Sequence, residues 1–135
     1  MKLLSLGAIA MDIVIDSSEL PKDDGFALIS SEKLLPGGSA SNVSVAAEYL
    51  GLEVYQTGKI GDDSMGDAFR RTLLLDGVDD RFVVTKKGGK TLHTYILTAP
   101  GGKHCIFANI GDAVWIFFIM ICFLLKQRFG LLKKQ

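Results

Sequence analysis

The chain has 135 residues and no formal net charge, with 48% hydrophobic and 22% charged residues, which bounds it to one domain with a sizeable core. Charge is unevenly placed: residues 1–112 hold all 15 acidic residues against 11 basic ones, while 113–135 hold four bases and no acid. A mildly acidic body with no basic stripe excludes a nucleic-acid footprint, and two cysteines, Cys105 and Cys122, without knuckle spacing or disulfide density read as free thiols in a reducing, cytoplasmic compartment.

Residues 2–9 predict a buried strand; the acids Asp12 and Asp16 and the β-branched residues of "MKLLSLGAIAMDIVID" argue against a signal peptide. A turn cluster at 21–25 precedes a second extended segment at 26–35. From Gly38, the spacing of Ala40, Val43, Ala47 and Leu50 predicts one face of a helix, with Gly51 at a left-handed C-cap. "EVYQTGK" reads as a strand. Asp63 then caps a second helix whose buried stripe is Met65, Phe69 and Leu73, whose Arg70 and Arg71 face away, and which ends near Gly77. "RFVVT", "TLHTYILTA" and "KHCIFANIG" are three further strands, the last two joined by a hairpin-like turn at 100–102. Alternating strands and helices predict an α/β layered fold with a mostly parallel sheet and some antiparallel pairs. Ligands in such folds bind beyond the carboxyl ends of the strands, where Asp12 and the Gly37-Gly38 turn are expected.

The stretch "PGGSASNVSVAAEYLG" opens a helix with two glycines, so that a ligand can approach backbone N–H groups that a Cβ would shield. It has neither the Lys of a P-loop nor the three spaced glycines of a dinucleotide fingerprint. The longer pattern of Gly37-Gly38, Asn42, Ser44, Gly51, Gly61 and "GDDSMG", with Asp62 and Gly66, resembles the N-terminal signature of the ribokinase-like carbohydrate kinases, of minor-phosphofructokinase type, over residues 2–112.

That resemblance implies a Rossmann-like domain with a small β lid, a sugar or nucleoside held between them, and ATP with Mg²⁺ as phosphoryl donor. It assigns Asp12 to substrate hydroxyls, Gly37, Gly38, Ser39 and Asn42 to substrate contacts at the helix entry, and 26–35 and 92–110 to the lid, whose strands pair into homodimers in some relatives. Ser39 stands where ribokinases often carry Lys, which leaves fructose-like, ketodeoxy-acid and nucleoside substrates open. On residue type alone, a turn cap is the lesser alternative for Asp12, an ordinary first-turn residue the alternative for Asn42, and "GDDSMG" reads as a structural helix start rather than a metal site; His93 and His104 read as strand residues.

The family's Gly-Ala-Gly-Asp motif, which supplies the catalytic base and an anion hole, is absent from these 135 residues, as is its Mg²⁺-associated Asn and Glu pattern. The resemblance therefore implies the N-terminal portion of a kinase, truncated, inactive alone and binding neither ATP nor Mg²⁺ by itself. The alternative expectations are a non-catalytic sugar-binding or lid-pairing module, or a membrane-associated fragment. Residues 113–125 form an unbroken apolar run of about 20 Å as a helix against roughly 30 Å of hydrocarbon, followed by Lys126, Arg128, Lys133 and Lys134. This abrupt change reads as an atypical tail from a shifted frame, read-through or gene truncation, with membrane association the lesser expectation.

Overall fold

The computed structural model describes residues 1–112. The expectations attached to the apolar and basic tail, 113–135, and to Cys122 lie outside the described residues. Among the described residues no helix is long and apolar enough to cross a membrane.

The elements run β1 (Lys2–Leu6), β2 (Ala10–Ser17), β3 (Ile29–Gly37), α1 (Ser39–Tyr49), β4 (Glu53–Gly61), α2 (Ser64–Leu75), β5 (Asp79–Lys86), β6 (His93–Ala99) and β7 (Lys103–Asn109). They build two sheets. One is a parallel three-stranded core in the order β1-β4-β5; the other has the order β3-β2-β6-β7, with β2 and β6 parallel and both outer pairs antiparallel. The α/β layered fold with a parallel core and a small β lid is therefore the observed one. The hairpin across 100–102 is formed by β6 and β7 as the sequence predicts.

The first expected strand, 2–9, is cut short, and a separate strand follows it. β1 ends at Leu6, residues 7–9 cross between the sheets, and β2 belongs to the lid, so Asp12 lies within a lid strand rather than at the end of the first core strand. Ile9 and Met11 are each only 1% exposed, so the apolar run continues unbroken through the crossing and hydrophobicity alone conceals the change of sheet. Gly7 marks it: a Cβ there would stand 2.9 Å from the Ala40 Cβ, which only glycine avoids.

Helix α1 also departs from its expected face. Ala40 and Ala47 are buried, but Ser41 and Ser44 join them, while Val43 and Leu50 are 55% and 80% exposed. Small hydroxyl side chains let the helix lie close to β1 and β4; the Ser44 hydroxyl is paired, while the buried Ser41 Oγ has no partner among the described residues. The Ser44 hydroxyl donates to Gln56 Oε1 at 2.5 Å, Gln56 Nε2 donates to the Thr57 carbonyl, and Ser5 Oγ donates to the Ala40 carbonyl at 2.9 Å. Gly51, at φ 81°, closes the helix in the left-handed conformation expected of it, donating to the Glu48 carbonyl.

Helix α2 starts on Asp63 and buries Phe69 and Leu73 completely, with Met65 partly buried, as its spacing predicts. These side chains join Ile9, Met11, Val54, Ile60, Val78 and Val83 in one core. Arg71 is exposed as expected, but Arg70 is not turned away. Its guanidinium pairs with the Asp80 carboxylate, donates to the Val83 carbonyl at 2.6 Å and reaches Thr85 Oγ1. The long side chain thereby satisfies a carbonyl of β5, which has no pairing partner beyond β4 among the described residues.

Candidate functional site

Asp12 and the twin-glycine turn meet where the lid joins the core. β2 places Asp12 opposite Leu35 of β3 on one side and Thr94 of β6 on the other. Thr94 Oγ1 donates to Asp12 Oδ1 at 2.6 Å, while Oδ2 accepts no hydrogen bond among the described residues. The carboxylate lies directly over Gly37, where a Cβ would run into Oδ2 and stand 2.6 Å from Cγ. A side chain at position 37 would therefore push the carboxylate out of this place.

Gly38 answers a different need. It occupies the N-cap of α1 at φ 94°, with no side-chain cap, and a Cβ there would collide with the backbone of Ala8 and Ile9. The Ala40 N–H is tied to the Ala8 carbonyl at 3.2 Å, so the mouth of α1 is fixed against the crossing segment. Ser39 and Asn42 follow in the first turn, both exposed, and their side chains make no hydrogen bond among the described residues; the Asn42 N–H bonds the Gly38 carbonyl. The structure therefore sets Asp12 against Gly37 and arrays Gly38, Ser39 and Asn42 beside them. The result, among the described residues, is a carboxylate oxygen, an amide and a hydroxyl without hydrogen-bond partners at the start of a helix, groups able both to donate and to accept.

The "GDDSMG" turn is built as a structural joint. Asp63 Oδ1 accepts from the Gly66 N–H at 2.9 Å and from Thr91 Oγ1 at 2.6 Å, and Oδ2 accepts from the Thr91 N–H at 3.0 Å. Thr91, fully buried, in turn accepts from the Gly61 N–H. Burial works against ionisation of Asp63, but the bonds from Thr91 and Gly66 prevail and hold its carboxyl below the usual aspartate value. Asp62 is exposed. Among the described residues no three His, Cys, Asp or Glu side chains come together to hold a metal ion. His93 and His104 sit on β6 and β7, each with its Nδ1 at a nearby backbone carbonyl, as strand residues. Among the described residues Cys105 is a free thiol.

Two residues escaped the sequence reading. Thr94 is the side chain on Asp12, and Thr91 joins the second helix to the lid. The signal for Thr94 was the period-two placement of Thr94 and Thr98 in "TLHTYILTA", matching Asp12 and Asp16 in "MDIVID".

The described residues thus build a parallel three-stranded α/β core joined to a mixed four-stranded sheet, with Asp12, Gly37 and Gly38 at the junction. Residues 1–119 match the pfkB family carbohydrate kinase model. An ATP-dependent ribose-1-phosphate kinase of Halopiger xanaduensis is 34% identical over 110 residues, covering 82% of this chain and 37% of that protein. A ribokinase of Bacillus subtilis is 37% identical over 103 residues, covering 75% and 34%. In fold, the chain is similar to an Arabidopsis thaliana ribokinase solved with ribose and ATP, at TM-score 0.70 and 22% identity over 78% of this chain and 35% of that one. It is also similar to a nucleoside kinase of Methanocaldococcus jannaschii, at TM-score 0.72 and 21% identity over 82% and 37%. The chain belongs to the pfkB family of carbohydrate kinases. It spans about a third of the length of the curated relatives it matches.

Proposed function

We propose that this chain is the substrate-binding portion of a kinase that transfers the γ-phosphoryl group of ATP to a hydroxyl of a sugar or nucleoside. The observation that carries the reading is the Asp12 carboxylate seated on Gly37 with Oδ2 unengaged, beside the exposed polar groups of Ser39 and Asn42. In this role Asp12 accepts hydrogen bonds from substrate hydroxyls, Gly37 and Gly38 allow the substrate close to the backbone, and Ser39 and Asn42 fix its orientation. The lid strands β2, β3, β6 and β7 cover the bound molecule and exclude water.

ATP, with Mg²⁺, would supply the phosphoryl group in the complete enzyme. The described residues offer no metal-ligating cluster and the 135 residues no Gly-Ala-Gly-Asp motif, so the proposal gives this chain binding and orientation and leaves transfer to residues outside it. The proposal takes residues 1–112 as the kinase portion, within the family match over 1–119, and a cytoplasmic setting as the compartment.

Calorimetric titration of the 135-residue chain with D-ribose, D-fructose and inosine tests the reading, together with a coupled ADP assay. The expected result is saturable binding in the millimolar range to at least one of them and no ligand-dependent ADP release. ADP release by the chain alone would overturn the division of labour, and failure to bind any of the three would overturn the binding role.

A second reading is favoured by one feature. Leu34, Ile13, Tyr95 and Phe107 stand in one rung across the lid, on the face opposite Asp12, and Leu34, Tyr95 and Phe107 are substantially exposed. Pairing of two lids through this face would make the chain a homodimer. Light scattering that reports a monomer at every concentration, unchanged by Phe107→Ser, would remove this reading.

A further inference from the structure

Strand β2 carries two carboxylates on one face, Asp12 and Asp16, separated by four residues or about 13 Å of strand. Their surroundings form a natural comparison. Each faces a threonine of β6 in register, Asp12 with Thr94 and Asp16 with Thr98, and each threonine hydroxyl donates to the Oδ1 of its partner. On the β3 side the two rungs differ. Asp16 is paired with Ser31, whose Oγ donates to Oδ2 at 2.6 Å, whereas Asp12 is paired with Leu35, which has nothing to donate.

At Asp16 both oxygens are therefore engaged, and hydrogen bonds from Ser31 and then Thr98 hold its carboxyl below the usual aspartate range. That rung is a closed structural clasp between β3, β2 and β6. The Asp12 rung is the same clasp with one donor replaced, so one oxygen is anchored and the other is left for an incoming hydroxyl.

We infer that Thr94 is the positioning residue of the site, holding the Asp12 carboxylate so that Oδ2 lies over Gly37, and that Leu35 keeps Oδ2 open by supplying no donor. A charge-assisted hydrogen bond of this kind fixes a side-chain rotamer that would otherwise be disordered by three staggered alternatives. The inference rests on the proposed binding role of Asp12, and extends it to two residues that never need to touch the substrate.

Two substitutions test it in opposite senses. Thr94→Val removes the anchor while keeping the shape; Leu35→Ser, at a position 45% exposed, copies the Asp16 rung and offers a donor to Oδ2. The 135-residue chain and its variants are titrated with D-ribose, D-fructose and inosine, and the χ1 rotamer of Asp12 is read from NMR scalar couplings without ligand. Thr94→Val should average the Asp12 rotamer and weaken binding about tenfold, with Thr94→Ser restoring both. Leu35→Ser should keep the rotamer fixed and the thermal midpoint in place, yet weaken binding by a similar factor. In an Asp12→Asn background neither substitution should weaken binding further, a result that a merely structural role would not give.

An Asp12 rotamer unchanged by Thr94→Val, or affinity unchanged by both substitutions, overturns the inference. If the unaltered chain binds none of the three compounds, the proposed function fails instead, and the rotamer measurement still decides whether Thr94 positions Asp12.

Discussion

Replacing Asp63 by alanine removes the joint between the core and the lid. The side chain caps α2 through the Gly66 N–H, and loss of such a cap costs about 1 kcal/mol. It also leaves the N–H of Thr91, a fully buried residue, without its acceptor, which costs about 1–3 kcal/mol more. The Thr91 hydroxyl loses its acceptor too but still accepts from the Gly61 N–H, so it adds little. The expected destabilisation is about 2–4 kcal/mol, equivalent to roughly 7–14 °C in thermal midpoint for a chain of this size. Urea unfolding followed by far-UV circular dichroism measures it, with the slope unchanged if only stability moves. Asp62→Ala, at an exposed neighbour, is the control and should stay within about 0.5 kcal/mol. A loss below about 1 kcal/mol for Asp63→Ala would refute the reasoning, since Asp63 would then be a simple surface cap rather than the tie between α2 and the strand that bears Thr94.

The same joint sets a pH dependence. Because the folded-state pKa of Asp63 is depressed, its contribution is fully present above the ordinary aspartate pKa of about 4 and is lost as pH falls through the lower folded value, so stability should decline below about pH 4 and Asp63→Ala should flatten that decline in urea titrations. Asp112 adds in the same direction, its carboxyl held down by the Lys86 ammonium and the Lys90 N–H. Gly37→Ala should displace the Asp12 carboxylate and abolish sugar binding by calorimetry while moving the unfolding midpoint only slightly, because the atoms it strikes belong to a movable side chain. Ser44→Ala should cost about 1–3 kcal/mol by leaving the buried Gln56 Oε1 without a donor, and an unchanged midpoint would mean that water replaces the hydroxyl there.

Helix α2, its Asp63 cap, its end near Gly77 and the left-handed Gly51 were legible in the sequence because each is dictated locally, by a 3.6-residue period or by a φ that favours glycine. The crossing at 7–9 was not, because buried residues on both sides of it are equally apolar and the change of sheet is a long-range event. The face of α1 was misread for a related reason: Ser41 and Ser44 look like surface residues until Ser5 and Gln56, from other strands, show how closely the helix packs. Asp12, Gly37 and Gly38 could be picked out as candidates from residue type and spacing. The shared spacing of Thr94 and Thr98 with Asp12 and Asp16 hints at one partner, but only the registers of β6 and β3 on either side of β2 place Thr94 and Leu35 beside Asp12.

The most direct test of the account is to map D-ribose, D-fructose and inosine onto the folded chain by ¹H–¹⁵N NMR, in the unaltered protein and in Asp12→Ala. The account predicts that at least one of them perturbs a contiguous set of resonances at Asp12, at residues 37–42 and at Thr94, and that Asp12→Ala abolishes the response while leaving the remaining spectrum in place. Perturbations centred elsewhere, or a response that survives Asp12→Ala, would contradict it.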